Sequence, residues 1–346
     1  MATIREVAAR ARVSSATVSR VLNGDERVSA AYRERVLQAI SELGYRPNRI
    51  ARSLRRRKTD TIGVVVPDIE NPHSTRAVRA IEDAAYRQGF RVVLCNTDET
   101  PEKQRAYLEV LAAEQVVGVI LAPADPGDAT ISDLIDLGIP VVAFDRSVDD
   151  PRADAVFADN VHAARVAAEH LINGGCQSIG FVAGRVEIQT GADRLAGYRE
   201  VMESHALPVA IAYGEFRLDA AYHATKRLLA DHPALDCIIV ANNLMAIGAL
   251  RALREAGRRV PEDIAMVSID DPPWADLVDP PLTTLGQPIQ QMARSAFDLL
   301  IDRISHQRTQ SRFVIFNFEL RVRRSCGTVT AGIGPAAGAG LPSGSD

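Results

Sequence analysis

Cysteine is sparse in this chain: Cys95, Cys176, Cys237 and Cys326 are the four in 346 residues. They stand far apart, and no pair has CxxC or metal-ligand spacing. That argues against a zinc module or a dithiol motif and makes a reducing cytosol the simplest setting. Long apolar runs are also lacking, since none approaches the roughly 18 residues that span a bilayer. The first residues, MATIREVAARARV, are charged within five positions and hold no apolar h-region, unlike a secretory signal. A cytoplasmic protein is expected. Enzymatic signatures are missing too: no GxGxxG after a strand, no GxxxxGKS/T, no HExxH and no GxSxG. His162 and His170 flank a helical segment without metal-ligand spacing, and are read as helix-surface or interface residues. No catalytic residue, metal or cofactor is expected.

What is present is ordinary in bulk, with 47% apolar and 24% charged residues, and long enough for two or three domains with a large core. The charge is unevenly spread. Residues 1–60 hold 14 Lys/Arg against 6 Asp/Glu, and the remainder holds 26 against 38. A small basic module joined to an acidic body most often contacts phosphate; the alternative is a solvated basic face.

Within the basic module, Ile4, Val7, Ala8 and Ala11 repeat at helical spacing, which predicts a first helix over 4–11. RVSS is a polar turn with Ser14 as N-cap of a second helix that runs to about Asn23, where Gly24 stops it. A third helix is expected from about Ala31, burying Val36, Leu37, Ile40 and Leu43 and ending at Gly44. Two short helices joined by a small-residue turn and followed by a third make a helix-turn-helix unit. In that unit the start of the second helix meets base edges in the major groove. Ser15, Ala16 and Thr17 occupy that turn, and their small side chains permit close approach; Arg20 lies one turn on. The competing reading is an ordinary three-helix subdomain. Residues 48–58, NRIARSLRRRK, have one small apolar face among arginines and are too short to be a stable helix alone.

From Thr61 the texture changes. TIGVVVP, FRVVLCN, VVGVILAP, IPVVAFD, SIGFVAG, DCIIVAN and DIAMVSID are short apolar runs that alternate with helical patterns over 75–89, 102–115, 160–174, 191–205, 219–232, 244–257 and 288–305. That alternation predicts parallel sheets covered on both faces, in two α/β lobes. The Gly/Ala/Pro/Ser-rich residues 328–346 are expected to be a disordered tail.

TIREVAARARVSSATVSRVLNG, then RVS, LGYRPN and ARSLR, resemble the DNA-binding headpiece and hinge of the lactose-repressor (LacI/GalR) family. The resemblance continues through NTDETPEKQRAYLEVL, DRLAGYREVM, RVPEDIAMVSIDD and PPLTTLGQP, up to Cys326. It implies an all-α headpiece (1–47), a hinge helix and linker (48–60), and a two-lobed periplasmic-binding-protein-like body (61–327). The lobes would be about 61–159 with 288–316, and 160–287 with 317–327. It further implies a homodimer on a pseudo-palindromic double-stranded operator. Leu54 would wedge into the minor groove with Ala51 beside it, and Tyr45 and Pro47 would hold the third helix to the hinge. Thr3, Ser14, Asn23, Arg27 and Arg55 complete the DNA-contacting candidates. Tyr32 departs from the family's usual Thr, so no phosphate role is carried onto it.

In open α/β sheets ligands bind beyond the carboxyl ends of strands. Asp145 and Arg146, Asn242, Asp270, and the loop holding Asn71, His73 and Ser74 follow strands here. Each alone is equally well a helix N-cap. The resemblance extends to ribose-type periplasmic sugar-binding proteins. It implies that Asp145, Arg146, Arg194, Asn242 and Asp270 bind sugar hydroxyls, with Asn71, Thr190 and Gln287 in the same pocket and Phe216 stacked on the ring. NPHS departs from the usual NPFF or NPYF: His73 and Ser74 replace aromatics, and His73 also reads as a plain surface histidine. Trp274 is equally a packing residue or a ligand contact. A sugar-controlled transcriptional repressor is expected. A sugar-binding protein without operator function, or an α/β sugar enzyme, are the rivals.

Overall fold

The computed structural model describes residues 3–22, 25, 27–44, 59–306 and 310–327. Asn23, Tyr45, Ala51, Leu54 and Arg55, the expected hinge helix and the expected tail lie outside the described residues. The chain divides into two compact units, residues 1–59 and 60–346.

In the first unit, α1 (Ile4–Ala11) begins with a reciprocal cap: Thr3 Oγ1 accepts from the Glu6 N–H at 3.3 Å while Glu6 Oε2 accepts from the Thr3 N–H at 2.6 Å. It ends at Arg12 in the left-handed region, φ 50°. Ser14 Oγ accepts from the Thr17 N–H at 3.1 Å and so starts α2 (Ser15–Leu22). Helix α3 (Ala30–Leu43) closes at Gly44, φ 57°. Val7, Ala8, Ala11, Val18, Val21, Val36 and Ala39 form the core. Arg35 donates to the carbonyls of Ala11 and Arg12, satisfying the end of α1. One expectation fails here: Leu37 is 53% and Leu43 37% exposed. The inward stripe of α3 runs Val36, Ala39, Ile40. Leu37 lies about 100° around the helix from Val36, and Leu43 falls on its last turn.

The second unit opens with β1 (Thr61–Val66), α4 (Pro72–Arg87), β2 (Arg91–Asn96), α5 (Pro101–Ala113), β3 (Gly118–Leu121), α6 (Ala129–Asp136), β4 (Val141–Phe144) and β5 (Asp154–Ala158). The chain then crosses to a second lobe. There it builds α7 (Asn160–Asn173), β6 (Ile179–Ala183), α8 (Gln189–Ser204), β7 (Ala210–Tyr213), α9 (Leu218–Asp231), β8 (Cys237–Val240), α10 (Asn243–Glu255), β9 (Ala265–Ile269) and β10 (Thr283–Gly286). It returns through α11 (Ile289–His306) and β11 (Phe313–Phe316), and crosses again into β12 (Glu319–Arg321). The sheets are ordered β11-β5-β4-β3-β1-β2 and β12-β10-β9-β8-β6-β7. All neighbours are parallel except β12, which runs antiparallel to β10. One face of the first sheet packs on α4 and α11 and the other on α5 and α6, which is why β1, β3 and β4 are apolar at nearly every position.

Two cysteines do act together, contrary to the reading from spacing. Cys176 and Cys237, 61 residues apart, are joined as a disulfide with a Cα–Cα distance of 6.2 Å. It ties the turn after α7 to the start of β8. With Asp236 they bring three ligand-type atoms within 4.8 Å. The sulfurs are spent in the bond, however, and the Asp236 carboxylate accepts the N–H groups of Gln177 and Ser178 at 2.9 and 3.0 Å.

Candidate functional site

The cleft between the lobes is built by the residues that follow the strands. Asp145 follows β4 and Asp270 follows β9, at equivalent places in the two sheets. Each has a left-handed backbone, φ 69° and 70°. Each donates its N–H to the neighbouring strand, Asp145 to Val156 O at 2.9 Å and Asp270 to Leu285 O at 2.8 Å. A left-handed aspartate costs about 1–3 kcal/mol; the strand bonds hold it there and turn both carboxylates toward the cleft.

All eleven pocket candidates line this one cleft of about 80 Å³: Asn71, His73, Ser74, Asp145, Arg146, Thr190, Arg194, Phe216, Asn242, Asp270 and Gln287. Pro67, Asp68, Glu99, Arg185, Ile188, Glu215 and Arg217 line it as well. Of these, Asp68 follows TIGVVVP, in the loop that also holds Asn71, and Glu99 and Arg185 lie in loops after β2 and β6, where the strand-end rule applied to every loop would have found them; Glu215 and Arg217 follow β7, which no apolar run marks. Ile188 has no such signal. The N-cap reading holds for Asn71, whose Oδ1 accepts from the His73 N–H at 3.0 Å, and for Asn242, whose Oδ1 accepts from the Met245 N–H at 2.8 Å. Both cap a helix and border the cleft. Trp274 does not line the cleft; it packs against the core of the second lobe. His162 is exposed and His170 half-buried.

Charges in the cleft are matched. Arg146 is forked on Glu99 at 2.9 and 3.1 Å, and lies 3.5 Å from Asp145. Burial opposes its charge, but these two acids outweigh it and its pKa is raised. Asp145 is likewise opposed by burial, yet His73, Arg146 and Arg194 hold its carboxyl well below the usual range. His73 Nε2 lies 3.4 Å from Asp145 Oδ1, within ion-pair reach but outside hydrogen-bond geometry. Burial works against the imidazolium, and the nearby Asp145 and Asp270 carboxylates raise the His73 pKa all the same. Asp270 accepts from Gln287 Nε2 at 2.9 Å and from Asn243 Nδ2 at 3.5 Å. Arg194 is buried, donating to Asn160 Oδ1 at 2.8 Å and to Ala241 O. Its guanidinium stands 6.0 Å from the centroid of Phe216, the aromatic side chain of the cleft wall.

Buried polar atoms are normally paired. Among the described residues eight buried side-chain atoms have no hydrogen-bond partner. Five belong to groups around this cleft: His73 Nδ1 and Nε2, Arg146 Nε, Asn243 Oδ1 and Gln287 Oε1. Such a cluster suits a ligand rich in hydroxyls, each of which both donates and accepts.

On the first unit, Ala16 and Arg20 are exposed on α2, with Ser15 and Thr17 half-buried. The Ser14 and Thr17 hydroxyls are 2.9 Å apart and hold one another. Thr3 is engaged in its helix cap. Arg27 is forked on Asp25 at 3.0 and 2.9 Å, a hydrogen bond that lowers the Asp25 pKa to about 2. The Arg35 guanidinium lies over the exposed Tyr32 ring at 5.6 Å.

Residues 3–48 match the bacterial regulatory proteins of the lacI family, and residues 168–326 match the periplasmic binding protein-like domain. The ribose operon repressor of Halalkalibacterium halodurans is 41% identical over 304 residues, 88% of this chain and 91% of that protein. The chain belongs to the LacI family. It is a DNA-binding transcriptional regulator, like its relatives. The Lac repressor dimer bound to operator and the anti-inducer ONPF superposes with a TM-score of 0.84, at 29% identity, over 94% of this chain and 99% of that one. A LacI family regulator from Enterococcus faecium with bound ribose gives a TM-score of 0.71, at 30% identity, over 77% and 98%. These relatives are regulators rather than enzymes, and no helix among the described residues is long and apolar enough to cross a membrane.

Proposed function

We propose that this LacI-family regulator is a dimeric repressor that grips a pseudo-palindromic operator through α2 and releases or tightens it when an uncharged sugar of monosaccharide size fills the cleft. Ser15, Ala16, Thr17 and Arg20 read or grip the major groove. Thr3, Ser14, Asn23, Arg27 and Arg55 support that contact, Tyr45 holds the third helix to the hinge, and Ala51 and Leu54 belong to the hinge. The observation that carries the effector half is the cluster of unpartnered buried polar atoms beside two strand-end aspartates and the one aromatic wall. The charge balance supports an uncharged ligand: Arg146 faces Glu99 and Asp145, Arg217 faces Asp68 at 3.1 Å, and Arg185 faces Glu215 at 4.0 Å. Arg194, the remaining guanidinium of the lining, is engaged by the neutral acceptors Asn160 Oδ1 and Ala241 O. The ribose repressor and the ribose-bound regulator among the relatives support a pentose in particular.

Effector binding is regulatory only if it differs between the conformations that do and do not hold DNA. The test is a thermal-shift screen with pentoses, hexoses, polyols and phosphorylated sugars, followed by titration of labelled palindromic operator at one stated salt concentration. At least one uncharged sugar should raise the melting temperature and change operator affinity about tenfold or more. Operator affinity no better than for random DNA, or indifference to every sugar, would sink the proposal.

A further inference from the structure

His73 stands in the second position of α4, with its ring against Phe144 at 6.4 Å between centroids. Its side chain is only 11% exposed, and neither ring nitrogen has a hydrogen-bond partner among the described residues. Ser74 beside it is buried. Phe216 reaches the cleft from the other lobe. The ligand therefore meets an aromatic ring from one lobe and a polar pair from the other. A bicyclic aromatic ligand stacked on both faces does not suit that arrangement; a ring with hydroxyls toward the His73 side does.

The Asp145 carboxylate decides what His73 offers. It is ionised at neutral pH and lies on the Nε2 side, where it favours the imidazolium, so Nε2–H faces the carboxylate and Nδ1–H is left as a donor. A hydroxyl that reaches Nδ1 ends the unpaired state of that atom. An analogue lacking the hydroxyl leaves this buried nitrogen unpaired, which is the situation in which binding sites discriminate most strongly. A histidine that only fills space would show no such preference.

We propose that His73, oriented by Asp145, is the residue that sets sugar specificity in this cleft, its Nδ1–H donating a hydrogen bond to one particular ring hydroxyl. This rests on the sugar reading of the cleft. Asp145 is the positioning partner, and Phe216 and Arg194 contribute affinity without selecting that hydroxyl.

The experiment is calorimetric titration of the full chain at pH 6.5 with the aldopentoses, the common aldohexoses, and single-deoxy derivatives of whichever binds. Wild type, His73→Ala and His73→Asn are compared, and each variant is melted to check folding. Wild type should reject one deoxy analogue by about 30-fold or more. In His73→Ala the parent sugar weakens by a similar factor and that one preference falls to within about threefold, while penalties at other hydroxyls persist. His73→Asn, which keeps a polar atom near the Nδ1 position, retains part of the preference and serves where the alanine variant does not fold. Unchanged ratios in a folded variant, or equal weakening of every sugar, overturn the assignment to His73 and leave the sugar reading standing. Failure of every sugar to bind wild type overturns both.

Discussion

Gly184 follows β6 and lies directly beneath the aromatic wall of the cleft. A Cβ built there would come within 2.1 Å of the Phe216 ring, far inside any contact that real side chains make. The obstacle is the far end of one side chain, so Gly184→Ala displaces the ring rather than the strand. Effector affinity should fall about tenfold, which corresponds to about 1.4 kcal/mol, while the melting temperature of the free protein hardly moves. Calorimetry on Gly184→Ala, Phe216→Ala and the double variant checks it. The double variant should be no worse than Phe216→Ala, because the glycine acts only through the ring; fully additive losses would reject this account. The same region shows what was legible residue by residue. Carboxylates and amides placed after apolar runs pointed to the cleft lining because strand ends are where an α/β sheet exposes polar side chains. Glu99, Glu215 and Arg217 sit in the same kind of place, yet nothing in their own stretches sets them apart. Their significance depends on partners such as Asp68, 149 residues from Arg217, and pairing over that distance leaves no local trace.

At the scale of elements, the disulfide shows the same limit. Cys176 lies in a glycine turn and Cys237 at the start of a strand, and only the β6–β8 pairing brings them together. Closing a loop of about sixty residues is worth up to about 4 kcal/mol through the unfolded chain. Cys176→Ser, or reduction of the wild type with dithiothreitol, should therefore lower the melting temperature by several degrees. Cys95 and Cys326, both buried thiols, provide controls: Cys95→Ser should leave the response to reductant intact. A melting curve indifferent to reductant would show that the bond contributes nothing to the folded state. The elements with strong patterns were legible: α1 to α3, the apolar central strands, and the long helices that cover them. The elements missed were β5, β7, β10, β11, β12 and α6. Each strand is three to five residues long and lies at or near a sheet edge, where pairing with a neighbour rather than residue type makes the strand. Helix α6 is two turns long and shows its periodicity only through Ile131 and Leu134. Leu37 and Leu43 erred in the other direction, because leucine at roughly helical spacing was taken for core when the true stripe runs through Ala39.

At the scale of the whole second unit, three chain crossings join the lobes, and the cleft is further bridged by side chains from both. Ser147 donates from its N–H and hydroxyl to Gln189 Oε1, both at 2.9 Å. Arg76 donates to Asp271 O at 3.2 Å, Arg217 to Asp68, and Asn243 to Asn71 Oδ1 at 3.3 Å. These bonds join the lobes without any ligand. They bias the body toward a closed arrangement, and the effector adds its own contacts to that bias. Gln189 and Arg76 do not line the cleft, so Gln189→Ala combined with Arg76→Ala removes two bridges without touching the ligand. The two half-buried bonds to Gln189 contribute about 1 kcal/mol each and the exposed bond from Arg76 less, so the pair should shift the lobe equilibrium by about 30-fold or more. Apparent effector affinity then weakens by the fraction of molecules still competent to bind. Small-angle scattering should show a larger radius of gyration for the ligand-free double variant than for wild type, and the same value for both once effector is saturating. Equal radii together with equal effector affinities would mean that the crossings alone set the lobe angle. The sign of the operator response in the same variant then tells which lobe arrangement holds DNA, since the loosened protein resembles the effector-free state more than wild type does.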